Sequence, residues 1–120
     1  MDNRDIEILR KIIRYCDEAR ETCARLGNSL EALSADFVFK NAVAMCVLQI
    51  GELVSHLSDE VKARYPDMPW RDIKAMRNIA AHKYGDFRVT HLWDTVAGDI
   101  PELKLYCLRI ISDTMIKDSY

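Results

Sequence analysis

The stretch F-K-N-A-V-A-M-C-V-L-Q-I-G-E-L-V-S-H-L, residues 39–57, decides the fold. Phe39, Val43, Cys46, Ile50, Leu53 and Leu57 step by 4, 3, 4, 3 and 4. That spacing lines one face of an α-helix and no face of a strand. Ala42, Met45, Val47, Leu48 and Val54 widen the stripe beyond what one neighbouring helix covers. Such a helix is central in a bundle or shared with an oligomer interface. Gly51 sits in its middle at a cost of about 1 kcal/mol relative to Ala, which close approach of another helix would offset.

Helical signals continue on both sides. Upstream, Ile6, Leu9, Ile13, Cys16 and Cys23 recur at threes and fours, with Arg20 interrupting one step. This predicts a helix from about Asn3 or Asp5 to Gly27-Asn28, where Gly supplies a left-handed C-cap. Residues 29–34 read as a connector holding at most one helical turn. Downstream, Ser58 reads as the N-cap of a short helix from Asp59 to about Tyr65. Pro66 to Pro69 is a turn, and a third long helix runs from Trp70 to about His82, with Gly85 after it. Thr90 is positioned to cap a helix reaching about Gly98. Asp99 and Pro101 read as the cap and first residue of the last helix, with Leu103, Tyr106, Cys107, Ile110 and Ile111 inward. No stretch alternates apolar and polar residues in the manner of a strand. The expected fold is all-α: an up-and-down bundle of four long helices plus one or two short ones, a single domain over residues 1–120.

Composition agrees. A chain of 120 residues buries about 65% of the surface its unfolded form exposes, enough for a core without metals or disulfides. Apolar residues at 49% and charged residues at 30% exclude a disordered chain. The longest uncharged run, Asn41 to Gly51, is 11 residues, short of the roughly 20 that span a bilayer. The first residues, M-D-N-R-D-I-E, carry charge and no apolar core, so no signal peptide and a cytoplasmic location are expected. Cys16, Cys23, Cys46 and Cys107 form no C-x-x-C pair and read as reduced, buried apolar residues, with no metal site.

The net charge is −2, yet it is uneven. Residues 61–90 hold seven basic and three acidic side chains, a net +4, leaving ten against sixteen, −6, elsewhere. A solvated face would give this pattern, and so would a surface for phosphate. Within the basic segment, R-N-I-A-A-H-K-Y (residues 77–84) gathers polar and reactive side chains at the end of an apolar helix. Arg77 and Tyr84 are about two turns apart and share a face if the helix persists to Tyr84, whereas Arg77 and His82 diverge by about 140° around the axis. A guanidinium arm still reaches a phosphate beside a histidine at the helix end, more easily in a cleft between two copies. Histidine exchanges a proton near neutral pH, and arginine offers a fixed fork of donors to phosphate oxygens. The pair suits RNA cleavage without a metal: the base takes the ribose 2′-hydroxyl proton and arginine meets the charge building on phosphorus. By spacing alone, a surface or capping pair is the commoner explanation.

The motif R-N-I-A-A-H-K-Y resembles the R-x-x-x-x-H-x-Y motif of the HepT-like toxins, a group of HEPN-domain proteins also known as DUF86. The resemblance extends through L-Q-I-G-E-L (residues 48–53), R-Y-P-D-M-P-W-R-D-I-K-A-M-R-N (64–78), L-W-D-T-V (92–96) and D-I-P-E-L-K (99–104). It implies a helical homodimer with a composite cleft, acting as a metal-independent RNase toxin of a type II or type VII toxin–antitoxin system and needing no cofactor. It also implies control by a minimal nucleotidyltransferase antitoxin that adenylylates the motif tyrosine. The implied roles fall on Arg77 and His82 in catalysis and on Tyr84 as the modified residue. Asn78 would orient the arginine or the phosphate. Glu52, beside Gly51, would hold Arg77 or His82 unless it is a plain surface carboxylate. Lys74 and Lys83 would meet RNA phosphates. Met45 and Leu48 stand where some relatives carry Arg and Glu, which puts polar dimer contacts there in question. His56 and His91 read as solvated or capping residues, and Trp70 and Trp93 as core anchors rather than base-stacking platforms. The alternative is a non-catalytic helical subunit that binds nucleotide or a nucleotidyltransferase. A bare scaffold would leave the Arg77-Asn78 and His82 cluster unexplained.

Overall fold

A computed structural model describes residues 2–70, 72, 73 and 89–118. Helix α1 spans Asn3–Leu26, α2 Leu30–Ala35, α3 Phe37–Ser55 and α4 Asp59–Arg64. Trp70 and residues 72–73 open a further helical turn. Helix α5 spans Val89–Asp94, a π-helical turn covers Thr95–Asp99, and α6 spans Ile100–Asp118. No strand occurs among the described residues. The fold is the expected all-α bundle, and most of the third long helix expected at 70–82 lies outside the described residues.

Each boundary has a local cause. Asp2 accepts the Asp5 N–H at 2.9 Å to start α1. Gly27, at φ 120°, ends it, and the N–H groups of Gly27 and Asn28 return to the Cys23 carbonyl. A Cβ at Gly27 would also lie 2.7 Å from Ala32 Cβ, so glycine is required on two grounds. Ser29 caps α2, Asp36 caps α3 through Val38 and Phe39, and Ser58 caps α4 through Val61. The expected connector at 29–34 is thus largely a capped helix, with Leu33 fully buried.

Helix α1 packs between α3 and α6, and α2 covers α3 and α5. The buried face of α1 is Asp5, Ile8, Leu9, Ile12, Cys16, Ala19 and Cys23. It is rotated slightly from the expected stripe, leaving Ile6 and Ile13 half-buried. The stripe passes through Ala19, which removes the interruption at Arg20. That guanidinium sits at the edge and donates to the Val96 carbonyl at 3.3 Å.

Helix α3 is long and apolar enough to cross a bilayer by length and composition. Its buried residues, among them Phe39, Val43, Val47, Ile50 and Val54, pack inside the bundle against α1, as a core helix does. Gly51 is buried, while Met45 is exposed and Leu48 half-buried. The widened stripe is therefore covered on one side only.

Three boundaries near the C-terminus differ from expectation. Thr90 lies inside α5 and caps nothing. Gly98 does not end a helix and Asp99 does not start one. The backbone coils without a break from Val89 to Asp118, and the Ile100 N–H bonds to the Thr95 carbonyl. Pro101 has no N–H to donate, and its ring would strike the carbonyl four residues back in a regular α-turn. Widening one turn to the π spacing accommodates it.

Candidate functional site

Arg77, Asn78, His82, Lys83, Tyr84 and Lys74 all lie outside the described residues. What is described is the frame that delivers and receives that segment. On the entry side, Trp70 is buried and its Nε1–H donates to the Tyr65 carbonyl at 2.9 Å. The Tyr106 ring of α6 stands edge-on to both, 6.1 Å from Tyr65 and 6.2 Å from Trp70. Arg109 places its guanidinium 5.6 Å above the Tyr106 ring. Met68 and Ile73 complete the anchor in the core. The helical turn that begins at Trp70 is thus fixed to the last helix by three aromatic rings. On the exit side, Leu92 and Val96 are fully buried and Trp93 packs against the core. Both tryptophans are core anchors, as expected.

Burial pushes the Tyr65 and Tyr106 hydroxyls up from the ordinary phenol value, and nearby carboxylates reinforce it, Asp113 for Tyr65 and Asp67 for Tyr106. Both rings stay neutral under all ordinary conditions and serve as packing groups.

Of the predicted site residues, Glu52 alone is described. It is half-buried on α3, and its Oε1 lies 3.3 Å from Nε2 of His56, the residue that ends α3. His56 and His91 are exposed.

A cleft of about 370 Å³ opens between α3, the Pro66–Pro69 turn and the α5–α6 helix. Its floor is apolar, from Val47, Ile50, Ile73 and Leu103, and its rim carries Asp72, Asp94, Asp99 and Glu102. The Asp99 carboxyl is pushed above the usual carboxylate range, by burial first and then by Glu102 and Asp94. A surface of this sign repels a phosphate backbone.

The four cysteines are free and buried. Burial pushes the Cys16 thiol up to about 12 and that of Cys46 to about 11, and it raises Cys23 and Cys107 as well. None supplies a thiolate for catalysis or metal binding near neutral pH. Among the described residues, no group of three or more His, Cys, Asp or Glu side chains is placed to hold a metal ion.

One polar residue escaped the sequence reading. Asp5 is 3% exposed, and its carboxylate accepts the Ser58 N–H at 3.0 Å and the Ser58 hydroxyl at 2.8 Å. It clamps the first turn of α1 to the start of α4, just ahead of the turn that leads to Trp70. The available signal was an acidic residue in phase with Ile8, Leu9 and Ile12.

Comparison with known proteins agrees with this frame. The family model described as "Ribonuclease HepT-like" matches residues 6–110. The chain is similar to a Methanocaldococcus jannaschii protein named "Putative RNase MJ1216", 29% identical over 98% of this chain and 97% of the relative. It is also similar to a Thermococcus cleftensis protein named "Probable ribonuclease HepT", 32% identical over 82% of this chain and 86% of that protein. No solved structure matches the chain. A helical bundle with buried aromatic and aliphatic side chains on either side of residues 74–88, matched along nearly its whole length by one family, leads to a single assignment: the chain belongs to the HepT-like ribonuclease family.

Proposed function

We propose that this chain is a metal-independent endoribonuclease toxin whose site is formed by Arg77 and His82 in a homodimeric cleft. The observation that carries the proposal is R-N-I-A-A-H-K-Y at residues 77–84, inside the family match over 6–110. His82 takes the proton from a ribose 2′-hydroxyl. The freed oxygen attacks the adjacent phosphorus and the 5′-oxygen leaves, taking up a proton. Arg77 stabilises the charge that builds on the phosphoryl oxygens. The products are a 2′,3′-cyclic phosphate and a 5′-hydroxyl, and DNA is spared because it lacks the nucleophile.

Asn78 orients Arg77 or the phosphate, and Glu52 supports the pair from α3. Lys74 and Lys83 meet backbone phosphates. Tyr84 is the site at which a minimal nucleotidyltransferase antitoxin adds AMP and closes the cleft to RNA. The setting is a type II or type VII toxin–antitoxin system acting in the cytoplasm.

The test is cleavage of a structurally varied RNA pool by purified protein unmodified at Tyr84, with EDTA present. Arg77→Ala and His82→Ala should each lower the rate by at least about a hundredfold while leaving the helical circular dichroism intact. Unmodified wild-type protein that cuts no RNA in the pool refutes the proposal. Growth arrest that persists in His82→Ala points instead to the non-catalytic partner subunit, which needs no general base.

A further inference from the structure

Helix α6 carries two apolar faces. Ile100, Leu103, Cys107 and Ile110 point into the core and are buried. On the opposite side Leu105, Leu108, Met115 and Ile116 are 68%, 43%, 57% and 57% exposed, with Ser112 exposed among them. At about 100° per residue these five positions fall in one stripe about 100° wide, centred opposite Ile110. The steps from 105 to 108, 112 and 115 are 3, 4 and 3, the seam spacing of paired helices. One exposed leucine needs no explanation, whereas four large apolar side chains in register do.

We infer that this seam pairs with the same seam of a second copy, antiparallel, about a twofold axis near residues 110–112. The inference rests on the homodimer proposed above and names the face that makes it. Two features select this occupant. In an antiparallel pair centred there, Leu105 meets Met115 and Ile116 of the other copy. Leu108 meets the small Ser112. Charge selects the direction. Arg109 and Asp113 are exposed on the same flank of the stripe, and antiparallel packing sets each flank against its own counterpart. Arg109 of one copy then lies by Asp113 of the other, twice. Asp113 keeps its place by accepting from the Tyr65 hydroxyl at 3.5 Å. A parallel pair would instead set Arg109 by Lys104 of the other copy, a cation already held by Asp17 of α1 at 2.6 Å, and would forgo the Arg109–Asp113 pairs.

Sedimentation of the full chain over a wide concentration range tests the inference. Wild type should dimerise, and Leu108→Asp and Met115→Lys should each raise the dimer Kd by at least about tenfold. Both side chains are exposed, so helical content should not change. Arg109→Asp should weaken the dimer, and Arg109→Asp combined with Asp113→Arg should restore it. Ser112→Cys would be the sole accessible thiol, because the four native cysteines are buried. A short bis-maleimide should join two copies through it. A wild-type dimer whose Kd is unchanged in both seam variants overturns this face and leaves the homodimer standing. A wild type that is monomeric at every concentration overturns both.

Discussion

Replacing Asp5 by Ala should destabilise the whole bundle, although the residue lies in the first turn of the chain. Its carboxylate is 3% exposed and accepts two hydrogen bonds, from Ser58 N at 3.0 Å and Ser58 Oγ at 2.8 Å. Hydrogen bonds to a charged acceptor contribute about 1.5–3 kcal/mol each. Ser58 is half-buried, so water recovers part of the loss, and its hydroxyl still caps α4 by accepting from Val61 N at 3.3 Å. A net cost of about 3 kcal/mol follows from these terms. At about 4 °C per kcal/mol for a domain of this size, the Tm should fall by about 12 °C. Asp5→Asn keeps one acceptor and should lose roughly half as much. Glu7→Ala, at an exposed position of the same helix, is the control and should change little. Urea unfolding followed by circular dichroism measures all three. A double-mutant cycle with Ser58→Ala should return a coupling of at least about 1 kcal/mol. A loss below about 1 kcal/mol in Asp5→Ala would refute the clamp.

Gly27→Ala should cost about 1–3 kcal/mol in the same assay, because φ is 120° and the new Cβ meets Ala32 at 2.7 Å. The native protein should leave all four thiols unreacted with an aromatic disulfide reagent at pH 8 and release them only on unfolding. The raised thiols also give a pH dependence. Above the ordinary value of 9.0 the unfolded chain loses protons that the folded chain keeps. Stability should therefore fall as pH climbs from 9 towards about 11 for Cys46 and 12 for Cys16, with no effect below 9. Asp99→Asn removes a carboxylate crowded by Glu102 and Asp94. Its folded value is raised, so the charged form is a cost of folding. The variant should be slightly more stable than wild type at pH 7 and equal to it at pH 2.5, read by thermal melts at both.

The long helices were legible because their apolar positions recur over many turns and their ends carry Asp, Ser or Gly at capping sites. Phe39 to Leu57 could be read without any neighbour in view, and Ser58 announced α4. In α1, Leu9, Cys16 and Cys23 were read correctly, while Ile8 and Ile12 take the place expected of Ile6 and Ile13, and the small Ala19 carries the periodicity at the step where Arg20 interrupts it. The C-terminal boundaries failed for a different reason. Proline at the start of a helix and proline just after a widened turn have the same local signature, and only packing on α1 and α3 decides between them. The inner face of α6 was read correctly at Leu103, Cys107 and Ile110, whereas the exposed apolar face opposite it, at Leu105 and Leu108, went unread. The Arg77 and His82 site was located by resemblance more than by spacing, because five positions along a helix turn two side chains away from each other.

The widened turn at Thr95–Asp99 also bears on how the chain tolerates change in length. It holds one residue more than a regular helical turn would need between the same two packing faces. Ala97 and Gly98 within it are exposed, and nothing lies within 4 Å of where a Gly98 Cβ would be. Loss of a single residue there, together with replacement of Pro101 by a residue whose N–H can join a regular turn, would let the coil tighten while Leu92 and Leu103 keep their places in the core. Loss of one residue from the middle of α1 or α3 would turn every later side chain by about 100°. Once Pro101 is replaced, a one-residue deletion in this chain should therefore be tolerated best at 97–98, where the helix carries its own slack.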